Sequence, residues 1–255
     1  MSYIFEKNKT RPQRGHIFVM NKKTKILTII PARGGSKGIP GKNSKLLGGK
    51  PLLQYTVEAA RESSLLSRII LSSEDLEIID IAKSLGLEVP FVRPANLATD
   101  ASGTLEVVQH ALRYFMEQGE TFDAVCLLQP TTPFRESGSI DKAIQKFMES
   151  GLDSLVSVRE VPAEFNPHWV FEADEKGNLH IATGEKEIIK RRQELPKAYF
   201  RDGSLYLTKA EVILNQNSLY GGSVGYVVSQ SEWYVNLDTP QDWERAEKLV
   251  YKYNV

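Results

Sequence analysis

Short and almost uninterrupted apolar runs alternate along this chain with segments of helical periodicity, and this alternation restricts the possible folds more than any other feature. The runs include ILTIIP at residues 26–31, RIILS at 68–72, AVCLL at 124–128 and SLVSV at 154–158. Runs of this kind indicate strands that are covered on both faces. Since helices join them, the strands run parallel. The sequence therefore predicts a three-layer α/β fold with a mostly parallel central sheet.

The charge balance and the cysteine count restrict the partners. Lysine plus arginine and aspartate plus glutamate number 32 each, so an anionic ligand needs a local cluster of cations, and we expect neither a nucleic acid nor a membrane as partner. The single cysteine, Cys126, excludes a disulfide framework and a multi-cysteine zinc site and fits the reducing cytoplasm. Cys126 is either a catalytic thiol or a small buried hydrophobe, and the second use is the commoner.

The chain divides into a leader and one domain. Residues 1–25 are polar and basic without a sustained apolar core, and we expect them to be disordered or not native, with Met20 as a possible start. Residues 26–255 form the predicted domain. Within it, the pattern breaks at about residues 160–200, where short strands flank the turn signal DEKGN. This segment is predicted to be an inserted β-rich arm.

A glycine-rich and basic loop, PARGGSKGIPGKN at residues 31–43, directly follows the first predicted strand. In sheets of this class, ligands bind beyond the carboxyl ends of the strands. Glycine amides can approach an anion closely, and Arg33, Lys37 and Lys42 add positive charges that offset most of the negative charge of a triphosphate. The spacing matches neither the Walker nor the Rossmann glycine pattern. Triphosphate binding is the favoured interpretation, and an exposed basic turn is the alternative.

This loop and four later segments, RPANLATD, LLQPTTPFR, RRQELPKAYFRDGSLYL and NLDTPQDW, resemble the CMP-sialic acid synthetases, also called acylneuraminate cytidylyltransferases. The resemblance runs in order from about residue 26 to 250. It implies a Rossmann-like nucleotidyltransferase fold and a homodimer formed through the arm. It also implies that CMP is transferred from CTP to the anomeric hydroxyl of an acidic nine-carbon 2-keto sugar, with release of pyrophosphate and with Mg²⁺ as cofactor.

The resemblance assigns one set of residues to the nucleotide. The implied CTP-binding residues are Arg33, Gly34, Ser36, Lys37, Lys42, Asn43, Arg93 and Thr104. Those in the loop would hold the triphosphate, and the last two would contact the cytidine. Arg33 and Lys42 are also implied to be catalytic, because cations there stabilise the negative charge that develops during phosphoryl transfer. Without the resemblance, Arg93 would be interpreted as half of a surface ion pair.

A second set is assigned to the sugar. Gln129, at the end of the central strand, would face it, although a glutamine satisfied by neighbouring backbone fits the sequence equally well. Arg192, on the arm, would reach the active site of the other subunit and pair with the sugar carboxylate. Tyr206 would face the substrate. Leu219 and Tyr220 occupy the place of an aromatic pair that lines the N-acyl pocket, and because only Tyr220 is aromatic, the acyl group stays open.

The expected metal site departs from the family pattern. The family commonly has DxD followed by a third aspartate, whereas this chain has Asn236, Asp238 and Asp242. Because Mg²⁺ favours carboxylate oxygens, we expect Asp238 to be the principal ligand, with Asn236 bound directly or through water. Asp242 is alternatively a first-turn acid of the last helix. Asp238 is also the expected acceptor of the proton that the attacking hydroxyl loses.

Three other functions stay open. The acceptor is alternatively the eight-carbon Kdo or a sugar 1-phosphate, although LLQPTTPFR has the sialate-type form and the basic arm suggests a carboxylate partner. A nucleotide-binding module without catalytic activity is the third, and its only support is Asn236 in place of an acid.

Overall fold

The computed structural model describes residues 24–253. The elements follow in the order β1 (Ile26–Pro31), β2 (Leu46–Leu47), β3 (Lys50–Pro51), α1 (Leu52–Glu62), β4 (Arg68–Ser72), α2 (Leu76–Ser84), α3 (Thr104–Glu117), β5 (Ala124–Leu127), α4 (Ser139–Ser150), β6 (Ser154–Glu160), β7 (Phe171–Ala173), β8 (Leu179–Ile181), β9 (Tyr199–Lys209), α5 (Ala210–Asn215), β10 (Val224–Val228) and α6 (Pro240–Tyr253). Short 3₁₀ helices lie at Ala95–Leu97, Ala163–Phe165 and Arg192–Glu194.

Six strands form the main sheet in the order β10-β6-β9-β5-β1-β4. β1 pairs in parallel with β4 and β5, and β10 pairs in parallel with β6, which confirms the mostly parallel sheet. β9 is the exception, because it runs antiparallel between β5 and β6, with an irregularity between Val156 and Val158. The periodicity of the sequence did not predict this reversal of direction.

The side chains of β1 show why its apolar run is uninterrupted. Ile26 and Ile30 pack into a core shared with α1, α2 and α4. Leu27 and Ile29 enter a second core on the opposite face, against α3 and α5. Successive residues of a strand point to opposite faces, so both sets must be apolar when both faces are covered. The three-layer prediction is therefore confirmed.

The predicted arm contains a small hairpin, in which β7 and β8 pair antiparallel around the DEKGN turn. Asn166 is buried within the arm and donates a hydrogen bond from its side chain to the carbonyl of Pro196. Trp169 is half-buried and donates from its indole nitrogen to the carbonyl of Ile189. Several apolar residues of the arm stay exposed, namely Phe165, Val170, Phe171, Leu179 and Ile188.

Two further predictions concern the ends of the chain and Cys126. The predicted leader lies outside the described residues except for Thr24 and Lys25, and the backbone amide of Lys25 donates to the carboxylate of Asp123. Cys126 is fully buried, and burial raises the pKa of its thiol to about 12, as expected of a core residue and not of a nucleophile. Within residues 24–253, no helix has both the length and the apolarity needed to cross a membrane.

Candidate active site

A cavity of about 370 Å³ opens beyond the carboxyl ends of β1 and β5. Most of the residues that the sequence assigns to the nucleotide and the metal line this cavity. They are Arg33, Ser36, Lys42, Asn43, Arg93, Thr104, Asn236 and Asp238, and Gln129, which was assigned to the sugar, lines the cavity with them. Four chain segments that are far apart in the sequence therefore meet here. The interpretation of the glycine-rich loop as an isolated exposed turn is wrong for Lys42 and Asn43, whose side chains are largely buried.

The glycine-rich loop is closed by Asn43, whose side-chain nitrogen donates to the carbonyl of Arg33 at 3.0 Å. Gly38 packs against the segment that carries Asp238, and a Cβ at this position would lie 2.0 Å from the Asp238 carbonyl oxygen. The amide of Gly34 donates to Glu74 at 2.8 Å. Gly38 is thus needed for close packing, and the Gly34 amide is held by a carboxylate of the same chain.

Lys42 joins the loop to the segment before α6. Its side chain is 11% exposed, and its Nζ donates to the carbonyl of Leu237 at 2.5 Å and lies 3.6 Å from Asp238. Burial lowers the pKa of Lys42, because desolvation disfavours the charged amine, while Asp238 partly opposes this shift. A cation with so little solvent around it acts strongly on a charged ligand.

The other two cations of the loop meet at Asp100. Arg33 Nη1 lies 3.0 Å from Asp100 Oδ1 and donates to the carbonyl of Thr99 at 3.1 Å. Lys37 Nζ lies 2.7 Å from Asp100 Oδ2 and is 82% exposed, so it stands at the rim of the cavity. Asp100 itself lines the cavity. It ends the RPANLATD motif, but no local pattern of residues indicates its pairing with the loop.

Arg93 is buried and lines the cavity, so the alternative of a surface ion pair is wrong. Its Nε donates to Ser72 Oγ at 3.0 Å, its Nη2 donates to the Ser72 carbonyl, and its Nη1 lies 3.9 Å from Glu74. Burial lowers the pKa of Arg93, an effect that the charge of Glu74 opposes. Thr104, at the start of α3, also lines the cavity. Glu74 is a member of this site that the sequence analysis missed.

Gln129 is half-buried just beyond β5, and its backbone is fixed by Arg135. Arg135 donates to the Gln129 carbonyl at 2.8 Å, twice to the carbonyl of Ser204, and once to Thr56. Burial lowers the pKa of Arg135 to about 10. The side chain of Gln129 faces the bend of β9, since a Cβ on Gly203 would lie 3.4 Å from its Oε1. Gln129 therefore lines the cavity, and Arg135 holds its backbone in place through the hydrogen bond to its carbonyl.

Asn236 and Asp238 face the cavity together, whereas Asp242 does not. Asn236 donates from its side chain to Asp238 at 2.5 Å. Asp242 accepts from the amides of Asp238 and Thr239, and Thr239 Oγ1 accepts in return from the Asp242 amide at 3.3 Å. This reciprocal arrangement is a capping box at the start of α6. The alternative role of Asp242, a first-turn acid of the helix, is confirmed.

Tyr206 and Tyr220 form an aromatic cluster on β9 and the loop before β10, with ring centroids 6.4 Å apart. They do not line the cavity described above. Arg201 is exposed, and its guanidinium donates to the hydroxyl of Tyr220. Burial raises the pKa of Tyr206, and the charge of Tyr220 adds to the effect. Arg201 was missed because a lone arginine at the start of a strand carries no pattern.

Arg192 lies in the arm on an exposed 3₁₀ helix and is not among the residues that line the cavity. The described chain alone therefore does not bring Arg192 to the site. Its predicted role depends on a second copy of the chain.

The sequence matches the cytidylyltransferase family over residues 27–253. It is 37% identical over 227 residues to the CMP-N,N'-diacetyllegionaminic acid synthase of Legionella pneumophila, covering 89% of this chain and 96% of that protein. It is 35% identical over 230 residues to the pseudaminic acid cytidylyltransferase of Campylobacter jejuni, covering 90% and 97%. It is 30% identical over 234 residues to the N-acylneuraminate cytidylyltransferase of Escherichia coli, covering 91% and 54%.

A solved structure titled as a CMP:2-keto-3-deoxy-manno-octonic acid synthetase complexed with CTP shares the fold. The TM-score is 0.67 at 16% sequence identity, with 90% of this chain and 99% of that one covered. The predicted Rossmann-like nucleotidyltransferase fold is thus confirmed. Since the family match spans almost all of the described residues, and relatives of more than 30% identity cover most of the chain, this protein belongs to the CMP-sialic acid synthetase family of nucleotidyltransferases.

Proposed function

We propose that this protein transfers CMP from CTP to the anomeric hydroxyl of a nonulosonic acid and releases pyrophosphate. The observation that carries the proposal is the convergence of Arg33, Lys42 and Arg93, from separate segments, on one cavity of about 370 Å³. This volume is within the usual range for small-molecule sites. A cluster of this kind in a chain without net charge is suited to a compact polyanion such as a nucleoside triphosphate.

In the proposed complex, the triphosphate lies along the glycine-rich loop. Arg33, Lys37 and Lys42 supply the charges, and Ser36 supplies a hydroxyl donor. Asn43 acts mainly by holding the loop closed, because its side-chain amide already binds the Arg33 carbonyl. The cytidine then lies against Arg93 and Thr104, which also line the cavity.

The proposed chemistry is an in-line displacement at the α-phosphorus. The anomeric oxygen forms a bond to this phosphorus, the bond to the bridging oxygen of the leaving pyrophosphate breaks, and the hydroxyl proton passes to Asp238. Arg33 and Lys42 stabilise the charge that develops on the phosphate oxygens. Lys42 and Asp238 are 3.6 Å apart, so the cation and the proton acceptor meet at one point of the cavity.

The residues present fit a magnesium ion that arrives with the nucleotide. Asp238 offers an exposed carboxylate and Asn236 an amide oxygen, whereas Asp242 is used by the helix cap. Among residues 24–253, no group of three or more histidine, cysteine or acidic side chains is placed to hold a metal. One carboxylate with substrate phosphates is a usual set for Mg²⁺. When bound, the ion would neutralise phosphate charge, and Asp238 and Asn236 would hold it.

The sugar is proposed to lie between Gln129 and the aromatic cluster of Tyr206 and Tyr220. Its carboxylate would pair with Arg192 of a second copy of the chain, which requires a homodimer formed through the arm. Support for the dimer comes from the exposed apolar residues of the arm, among them Phe165 at 65% and Leu179 at 64% exposure. A monomer in light scattering would refute this part of the proposal.

The acceptor is proposed to be a nonulosonic acid of the legionaminic or pseudaminic type, since two of the relatives described above are named for these sugars. The test is an assay of pyrophosphate release with CTP and Mg²⁺ and a panel of acceptors: legionaminic, pseudaminic and N-acetylneuraminic acids, Kdo and a sugar 1-phosphate. Release with a nonulosonic acid is expected. Release of pyrophosphate with only Kdo or only the sugar 1-phosphate would show that this compound, and not a nonulosonic acid, is the acceptor. Binding of CTP without release of pyrophosphate would indicate a non-catalytic module.

A further inference from the structure

One carboxylate holds two of the three cations of the glycine-rich loop. Asp100 lies 3.0 Å from Arg33 and 2.7 Å from Lys37 and uses a different oxygen for each, so both oxygens of the carboxylate are engaged. A phosphate group presents its oxygens to such a pair of cations in a similar way. The side chain of Asp100 is 48% exposed and lines the cavity, so it occupies the place where a phosphate would meet these residues.

The turn that carries Asp100 is held in shape by its own hydrogen bonds. Ser102 Oγ accepts from the Thr99 amide at 3.0 Å and donates to the carbonyl of Asn96 at 2.9 Å. The Ser102 amide closes the turn by donating to the Thr99 carbonyl. The carboxylate is therefore aimed at the loop by a preformed turn. The contact of Arg33 with the Thr99 carbonyl adds a second link between the turn and the loop.

Glu74 provides an internal comparison. It also touches the site, through the Gly34 amide and Arg93, but its side chain is only 22% exposed and Arg93 is buried. Removal of Glu74 would leave a buried cation without its neighbouring charge, so Glu74 is a fixed part of the wall. Asp100 pairs with partners that are 36% and 82% exposed, and solvent or another anion can replace it at little cost.

We propose that Asp100 is a displaceable substitute for phosphate, which competes with CTP and with pyrophosphate for Arg33 and Lys37. This inference rests on the proposed function. In the cycle, CTP displaces the carboxylate from the two cations, and the carboxylate pairs with them again as pyrophosphate leaves. Asp100 thus weakens the binding of the polyphosphate and favours the release of pyrophosphate. It is a positioning residue, because it acts through Arg33 and Lys37.

The test is the isosteric substitution Asp100→Asn, which removes the charge and keeps the shape. The dissociation constant of CTP, measured by titration calorimetry with Mg²⁺ and again with EDTA, is expected to fall roughly three- to tenfold, because two exposed ion pairs no longer need to be broken. The inhibition constant of inorganic pyrophosphate is expected to fall by a similar factor. Both effects should shrink at high salt, since the competition is electrostatic.

A matched control is Asp80→Asn, which makes the same change of charge at an exposed position on α2. This control should leave the dissociation constant of CTP and the inhibition constant of pyrophosphate within about twofold of the wild-type values, which would exclude a general effect of net charge. If Asp100→Asn binds CTP and pyrophosphate equally or more weakly than the wild type, the residue orients the cations or holds metal, and the inference is overturned. If the wild type binds neither compound, the proposed function itself fails.

Discussion

The substitution Lys42→Met tests the centre of the proposed chemistry. Methionine keeps most of the aliphatic stem of a side chain that is only 11% exposed, so the change isolates the loss of the charge. The amine that is lost donates to the carbonyl of Leu237 and lies 3.6 Å from Asp238. The variant therefore removes one phosphate-binding cation and one link between the loop and the segment before α6.

The expected loss of activity is large and the expected loss of stability is small. Removal of one preorganised donor from a site of developing charge typically costs about 10²- to 10³-fold in rate, or about 3–4 kcal/mol of transition-state stabilisation. The lost hydrogen bond to the Leu237 carbonyl costs about 1–3 kcal/mol in the free energy of unfolding. Burial lowers the pKa of Lys42, which means that the charged amine is itself unfavourable there, so the uncharged side chain offsets part of that cost.

The assay is kcat/KM for CTP at saturating acceptor, together with urea unfolding. The control is Lys45→Met, which removes the same charge from an exposed residue of the same segment, whose Nζ lies 4.4 Å from the Trp243 ring centroid. Lys45→Met should retain activity within a few-fold. A folded Lys42→Met protein with activity within tenfold of the wild type, or equal losses in both variants, would refute the assignment of Lys42 to the phosphates.

Three other predictions concern residues outside the loop. Arg192→Ala should raise the KM for the sugar by tenfold or more with a much smaller change in the KM for CTP, and an effect on CTP alone would contradict its placement. Arg135→Leu should lower the free energy of unfolding by about 3 kcal/mol in urea denaturation, because it leaves the acceptors of four hydrogen bonds unsatisfied. Cys126→Ala should retain activity, and the native thiol, with its pKa raised to about 12, should react with a disulfide reagent only after unfolding; rapid labelling of the folded protein would contradict its burial.

The central layers of the fold could be predicted because a strand that is buried on both faces has an uninterrupted run of apolar residues in the sequence. The uninterrupted apolar run of β1 divides into two alternating sets that fill different cores. The same logic located the candidate site, since the loop behind β1 and Gln129 behind β5 follow strands of the same direction. The role of Asp242 as a first-turn acid could also be predicted, because it depends only on residues within one helical turn.

The acids of the site could not be predicted in the same way. Glu74 and Asp100 bind an amide and cations of the loop that are far away in the sequence. A local pattern gives the type of residue that a loop contains, but the partner depends on how separate loops approach each other in the folded protein. Arg93 illustrates the difference: as an isolated arginine it looks like a surface residue, and only the fold buries it against Ser72.

The direction of β9 explains why its approach to residues of the site could not be predicted from the sequence. The rule that ligands bind after the carboxyl ends of strands draws attention to residues that follow a strand. β9 runs the opposite way, with Tyr206 opposite Leu127 at the end of β5, so it is the residues before Tyr206 that extend toward Gln129. Gly203 consequently lies beside Gln129 and Asn236, and its positive φ of 79° permits the bend there. An antiparallel strand within a parallel sheet thus brings its first half next to Gln129 and Asn236, two residues that line the cavity.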